Sequence, residues 1–102
     1  MTIVWSPLAL ERVADIATWI AQEQPGAAAR TIDGLFAAAE RLARFPESGR
    51  QVPEFERPDL REVIHHQYRI VYRIAADHIA ILTIRHSLQL MDSDDLGDKS
   101  VG

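Results

Sequence analysis

The chain has 102 residues, of which 47% are hydrophobic and 25% charged, and it contains no cysteine. This length suits one domain and is too short for two separate cores. Without cysteine, neither a disulfide framework nor a thiolate metal site can form. The formal net charge is −4, whereas proteins that bind nucleic acid through phosphate neutralisation usually carry excess positive charge. No apolar run reaches the ~20 residues that span a bilayer, and no signal-like segment opens the chain. We therefore expect a cytoplasmic protein without membrane contact.

The first half of the sequence predicts one strand and two helices. Thr2-Ile3-Val4-Trp5 is rich in β-branched and aromatic residues, which is typical of a strand. Ser6-Pro7 follows, and we expect a helix to begin here because serine can cap its first amides and proline suits its first position. That helix continues to about Gln22 and is broken by Gln24-Pro25-Gly26. A second helix is predicted from an apolar stripe that consists of Ile32, Leu35, Phe36, Ala39, Leu42 and Ala43.

The second half predicts three strands, at about residues 60–65, 68–75 and 78–86, after a loop from Pro46 to Asp59. In the middle strand, alternation divides the side chains between two faces. One face carries Tyr68, Ile70, Tyr72 and Ile74, and the other carries Arg69, Val71 and Arg73. We expect the apolar set to pack under the helix hairpin and the arginines to lie on an open face.

These elements predict an α+β fold with the order β-α-α-β-β-β, in which a two-helix hairpin packs on a small antiparallel sheet. Residues 1–90 would form the domain. Residues 91–102 are acidic and rich in small side chains, so we expect them to form a flexible tail.

The arginines of the predicted strands have two interpretations. A guanidinium group holds carboxylates in a bidentate geometry, so Arg61, Arg69 and Arg73 could together present a surface to an anionic partner. The same side chains could instead be paired within the fold, for example Arg69 or Arg73 with Glu62.

Three other side chains also have two interpretations. His65 and His66 suggest a metal site, but neighbours on a strand point to opposite faces and could not chelate together, so no metal is expected. Trp19 falls off the apolar stripe of the first helix, and it would serve either core packing or an exposed apolar patch.

Several short segments, taken together, resemble the RelE/ParE superfamily of bacterial toxins. They occur in order over about residues 2–88 and are Trp5-Ser6, the Pro46…Gly49-Arg50 turn, Leu60-Arg61, Tyr68-Arg69-Ile70-Val71-Tyr72 and Ile84-Arg85-His86. The resemblance implies a toxin of a type II toxin–antitoxin system, a class associated with plasmid stabilization. It further implies a hetero-oligomer with a cognate antitoxin, ParD-like or similar, and no cofactor.

The superfamily has two kinds of activity. RelE-like members cut mRNA on the ribosome, whereas ParE-like members inhibit DNA gyrase by protein–protein contact and lack the nuclease residues. Arg69 matches the phosphate-contacting arginine of the RelE-like members, and Arg61 lies near a second basic position. The position of their catalytic Arg or His is Ser87 here, and a serine hydroxyl does not titrate near neutral pH. The resemblance therefore favours a ParE-like toxin that is not an enzyme. The alternative is a RelE-like ribosome-dependent mRNA endoribonuclease that uses Arg69, Arg61 and His86.

For a ParE-like toxin, we expect a set of basic and aromatic side chains to contact the antitoxin or the gyrase target. These residues are Arg61, Arg69, Arg73, Arg85 and Trp19. We also expect the arginines to converge on one exposed concavity.

Overall fold

The computed structural model describes residues 1–88, 90–91 and 93–96. Its strands are β1 (Thr2–Trp5), β2 (Arg50–Gln51), β3 (Leu60–His65), β4 (Tyr68–Ile74) and β5 (His78–His86). Its helices are α1 (Pro7–Glu23) and α2 (Ala28–Glu40), and short 3₁₀ turns cover Arg41–Ala43 and Ser93–Leu96. The predicted α+β class and element order are confirmed, with β2 added inside the predicted loop.

The five strands form one mixed sheet in the order β1-β5-β4-β3-β2. Strands β3, β4 and β5 form an antiparallel meander, and β2 is antiparallel to β3. Strand β1 runs parallel to β5, so the expectation of a purely antiparallel sheet is corrected. The reason is topological. The two helices separate β1 from the meander in sequence, and only the last strand of the meander, β5, lies next to β1.

The start of α1 is fixed to the sheet by Ser6. Its Oγ accepts a hydrogen bond from the amide of Ala9 at 3.0 Å and donates one to the carbonyl of Leu82 in β5 at 2.8 Å. Pro7 occupies the first turn, where its missing N–H leaves no partner unsatisfied. The predicted cap is therefore confirmed, and it also orients α1 over the sheet.

One face of the sheet packs against both helices and forms the main core, which we call the helix side. Its fully buried side chains include Leu35, Leu42, Ile70, Tyr72, Ile79, Ile81 and Ile84. The predicted alternation in β4 is confirmed, since Tyr68, Ile70 and Tyr72 belong to this core and Val71 does not. Removal of this apolar surface from water is the main stabilising contribution.

The opposite face, which we call the second side, is covered rather than open. A second cluster lies there and consists of Val52, Leu60, Val71, Ala80, Leu82, Met91 and Leu96, with Phe55 packed against it. The expectation of an open arginine face is therefore wrong. The strands carry apolar side chains on both faces, and the second set also needs cover from water.

Part of the predicted tail supplies this cover. Met91 is 6% exposed and Leu96 is 8% exposed, and both side chains pack in this cluster against the sheet. Asp92 and residues 97–102, which complete the predicted tail, lie outside the described residues. Within the described part of the chain, no helix is both long and apolar enough to cross a bilayer.

Candidate functional site

Arg69 lies on the second side and is held between two carboxylates. Its residue exposure is 4%. Its Nη1 and Nη2 donate to the two carboxylate oxygens of Glu54, each at 2.8 Å, and its Nε donates to Glu62 at 3.0 Å. Bidentate pairing of this kind is the strongest form of arginine–carboxylate contact. The guanidinium group therefore has its donors directed at side chains of its own chain.

A second arginine extends this arrangement. Glu62 is 1% exposed, and its other oxygen, Oε2, accepts hydrogen bonds from Arg50 Nε at 2.9 Å and Nη2 at 2.7 Å. We call Arg50, Glu62, Arg69 and Glu54 the ion cluster. Its charges alternate and sum to zero, so it satisfies its buried groups without presenting a net positive surface.

Within the ion cluster, the pKa values of Glu54 and Arg69 are shifted. The hydrogen bonds from Arg69 lower the pKa of Glu54 from 4.5 to about 2, against the opposing effect of burial. The amide of Met91 contributes by donating to Glu54 Oε2 at 2.9 Å. The hydrogen bond to Glu54 in turn raises the pKa of Arg69. Glu54 and Arg69 therefore both stay ionised near neutral pH.

Arg85 also lies on the second side, directly opposite Arg69 in the sheet register. Its Nη2 lies 3.3 Å from Asp95, whose other oxygen lies 3.3 Å from Nη2 of Arg12 on α1. Asp95 is 2% exposed. It therefore joins the C-terminal 3₁₀ turn to both β5 and α1.

Arg61 lies on the helix side, because it is directly opposite Tyr72 in the register. Its Nη1 donates to the carbonyl of Gly49 at 2.9 Å. The hydroxyl of Tyr72 accepts from the Gly49 amide at 3.0 Å and donates to the Pro46 carbonyl at 2.6 Å. Arg61 and Tyr72 therefore hold the Pro46…Gly49 turn in place.

Gly49 is required at this turn for steric reasons. A Cβ atom there would lie 2.6 Å from the carbonyl oxygen of Glu62 and 2.6 Å from the hydroxyl oxygen of Tyr72. Such distances are far below van der Waals contact, and the backbone oxygen cannot move aside. This part of the family resemblance therefore has a structural explanation.

Arg73 is half-buried on the second side, opposite Leu60 and Ala80. The nearby Asp59 has a lowered pKa, mainly because Arg57 donates to it and to a smaller extent because of the charge of Arg73. Arg73 thus lies near the carboxylate of Asp59 at the end of β4.

Trp19 and His86 lie together in a groove between α1 and the ends of β4 and β5. The groove has a volume of about 220 Å³, and its walls are formed by Arg12, Asp15, Ile16, Trp19, Tyr68, Ile84 and His86. Trp19 is 57% exposed. The His86 ring meets the Tyr68 ring edge-on with centroids 6.2 Å apart. The Trp19 groove is therefore an apolar surface of the helix side.

The predicted residues do not converge on one concavity, and that expectation is wrong. Arg69, Arg73 and Arg85 share the second side, whereas Arg61 and Trp19 belong to the helix side. The reason is the register of β3, which places Arg61 opposite Tyr72 instead of beside the other arginines. Their roles in binding stay predictions.

The sequence interpretation missed two carboxylates that organise the second side. The sequence alone assigns no role to Glu54, which lies in the predicted loop, or to Asp95, which lies in the predicted acidic tail. A signal was present in both cases, because Glu54 and Asp95 are each followed directly by a large apolar residue, Phe55 or Leu96, whose burial draws the segment back onto the sheet. Glu62 was considered as a partner of Arg69, and that pairing is confirmed.

The argument that kept His65 and His66 apart is wrong. Strand β3 ends at His65, and His66 lies in the following turn with φ of 54°. The two rings therefore touch, with centroids 4.5 Å apart. Among the described residues there is still no group of three or more ligating side chains placed to hold a metal ion.

Comparisons with known proteins show the family to which this chain belongs. Residues 3–91 match the ParE toxin family of type II toxin–antitoxin systems (parDE). Toxin RelE3 of Caulobacter vibrioides is 32% identical over 83 residues, which cover 81% of this chain and 90% of that protein.

Two solved structures share the fold. A chain of the chromosomal ParDE TA system from P. aeruginosa has a TM-score of 0.73 at 19% identity, covering 84% of this chain and 95% of that one. A chain of the toxin–antitoxin complex RelBE2 from Mycobacterium tuberculosis has a TM-score of 0.62 at 20% identity, covering 83% and 95%. The fold is thus the small α+β fold of the RelE/ParE superfamily. This chain belongs to the ParE toxin family of type II toxin–antitoxin systems.

Proposed function

We propose that this protein is a ParE-like toxin, which inhibits DNA gyrase by protein–protein contact and is neutralised by a cognate antitoxin, ParD-like or similar. One observation carries the choice of branch. The three residues that would serve a ribonuclease, Arg69, Arg61 and His86, lie in three separate environments.

The chemistry of RNA cleavage makes this separation important. Without a metal, cleavage needs a group to activate the ribose 2′-hydroxyl, a cation at the phosphate and a proton donor for the leaving oxygen. Arg69 already holds Glu54 and Glu62, and Arg61 holds a backbone carbonyl. His86 contacts Tyr68 on the other side of the sheet from Arg69. A phosphate would have to displace two carboxylates to reach Arg69, and no imidazole would be beside it.

A binding function has a suitable surface in the Trp19 groove. Trp19 is 57% exposed on α1, at the wall of this groove. Large aromatic side chains in apolar grooves are typical centres of protein interfaces. Asp15 and Arg12 both line the groove, so its acidic and basic groups offset each other and its apolar side chains provide the contact surface. We infer that an apolar side chain of the antitoxin enters this groove.

The target is tested with purified toxin, released from its antitoxin, in a gyrase supercoiling assay. We expect supercoiling to be inhibited in proportion to toxin and restored by antitoxin. A parallel reaction with ribosomes and mRNA should leave the message intact. Normal supercoiling together with cleaved mRNA would contradict the proposal and support the RelE-like alternative.

The antitoxin surface is tested by calorimetry with the cognate antitoxin. Trp19→Ala should weaken binding by about 2 kcal/mol or more, close to thirtyfold, because it removes a central aromatic contact. Leu10→Ala is the matched control, since it truncates another exposed apolar residue of α1 outside the groove. Equal affinities for wild type and Trp19→Ala would remove the groove from the interface.

A further inference from the structure

A cavity of about 440 Å³ lies between the start of α2 and the β3–β4 turn, apart from the ion cluster and the Trp19 groove. It is lined by Ala27, Arg30, Thr31, Gly34, His65 and His66. None of these described lining residues is acidic. Cavities of this size are typical of small-molecule sites, and the proposed toxin function does not use this one.

His65 forms one wall through close contact with α2. A Cβ atom on Gly34 would lie 2.6 Å from Nε2 of His65, so the helix can approach the ring this closely only with glycine at that position. The His65 ring therefore lies directly against α2 at Gly34.

His66 forms the opposite wall through an uncommon backbone conformation. Among the described residues other than glycine, His66 alone has a positive φ, of 54°. Non-glycine residues rarely adopt this conformation, so its presence here suggests a function. Its ring meets that of His65 edge-on, at 4.5 Å between centroids and 81° between planes. Two imidazole rings thus face one small space.

Two arginines add positive charge around these rings. Arg30 lines the cavity from α2, and the charge of Arg41 acts on His65 from the 3₁₀ turn that follows α2. Burial lowers the pKa of His65, and the positive charges of His66 and Arg41 lower it further. In a protein of net charge −4, this is a local group of cationic and hydrogen-bond-donating side chains.

We propose that this cavity binds a phosphate group through Arg30, His65 and His66. Arginine matches the geometry of phosphate oxygens with two parallel hydrogen bonds. Each imidazole supplies an N–H donor, and a bound anion favours its protonated form. The volume of the cavity leaves room for a group attached to the phosphate.

The test is a titration of the full-length protein with inorganic phosphate, followed by NMR signals of the histidine rings. We expect saturable shifts of the His65 and His66 signals and little change at His86. Arg30→Gln should weaken binding by roughly tenfold, the order expected when one charge-assisted hydrogen bond is lost. His66→Asn should act similarly, and asparagine tolerates the positive φ of this turn.

Arg44→Gln is the matched control, because Arg44 is an exposed arginine outside the cavity. Its affinity for phosphate should equal that of wild type. Circular dichroism of each variant verifies the fold. Binding that is unchanged in Arg30→Gln and His66→Asn, or equally weakened in Arg44→Gln, would show non-specific attraction and overturn the proposal.

The source of the phosphate is identified by two further titrations. A nucleoside 5′-monophosphate offers a dianionic terminal phosphate, and a short DNA strand without terminal phosphates offers only backbone diesters. Tighter binding of the monophosphate, sensitive to Arg30→Gln, supports a small phosphorylated ligand. Tighter binding of the strand with the same sensitivity supports a nucleic-acid backbone. No saturable shift with either ligand or with inorganic phosphate would overturn the proposal.

Discussion

The helix side and the second side of the sheet are both buried, but different forces hold them. The helix side is an apolar core that two amphipathic helices cover. The second side combines a small apolar cluster with the ion cluster around Arg69, and it is covered by a loop and the C-terminal turn. Apolar packing tolerates small changes in shape, whereas a buried charge without its partner is strongly destabilising. The second side should therefore be more sensitive to loss of charge.

The largest effect is expected for Arg69→Ala. This change leaves Glu54 and Glu62 without their shared partner, and breaking a buried ion pair typically costs about 3–5 kcal/mol. Urea unfolding of the variant and wild type measures the difference.

Arg57→Ala is the control for Arg69→Ala. Arg57 pairs with Asp59 at 2.9 Å, but both side chains are about two-fifths exposed, at 43% and 39%. The expected loss is below about 1 kcal/mol, as for other surface pairs. Equal losses in the two variants would contradict the difference drawn between buried and exposed pairs.

Acid should weaken the second side through Glu54. The pKa of Glu54 is about 2 in the folded chain, and the ordinary value of 4.5 applies to the unfolded chain. As the pH falls, the unfolded chain therefore takes up this proton first, which favours unfolding. The stability that Glu54 contributes is complete above about pH 4.5 and is lost toward pH 2, with a size of roughly 3 kcal/mol. Urea unfolding at a series of pH values should show this loss.

Glu54→Gln removes this titration, so its stability should fall less steeply with acid than that of wild type. Glu56→Gln, at an exposed position of the same loop, should keep the wild-type slope. Identical slopes for wild type and Glu54→Gln would show that Arg69 does not hold Glu54 in solution.

Tyr72→Phe tests the hydrogen bonds of the helix side. It leaves the Gly49 amide and the Pro46 carbonyl without the hydroxyl that joins them, which should cost about 1–3 kcal/mol. Tyr68→Phe is the control, because the Tyr68 hydroxyl accepts a longer bond of 3.3 Å from Gln67. We expect a smaller loss for Tyr68→Phe, and the reverse order would mean that Tyr72 does not anchor the turn.

The smallest effect is expected for Asp95→Asn, which weakens the contact of the C-terminal turn with Arg12 and Arg85. These arginine side chains are 30% and 18% exposed, so water compensates part of the loss and the cost should be roughly 1 kcal/mol. Asp33→Asn, at an exposed position of α2, should have no measurable effect in the same unfolding experiment. A loss as large as that of Arg69→Ala would make the turn a principal support of the second side.

Most of the fold could be predicted because the local signals agree with the tertiary structure. Alternation in β4 placed Tyr72 and Val71 on the correct faces, and Ser6-Pro7 marked the start of α1. The parallel pairing of β1 could not be predicted, because it depends on where the last strand of the meander lies.

The candidate site was less predictable because its contacts join distant segments. Glu62 lies across a hairpin from Arg69, so that pair is within reach of register arguments. Glu54 reaches Arg69 from an irregular loop whose path has no periodic signal. His66 was misplaced because two residues next to a turn resemble a continued strand.

The most direct test of the account is the pKa of Glu54, measured by carbon NMR of its carboxyl group during an acid titration. Contact with Arg69 predicts a value of about 2. A value near the ordinary 4.5 would mean that Arg69 is not held by this carboxylate, and it would restore Arg69 as a candidate phosphate contact of a ribonuclease.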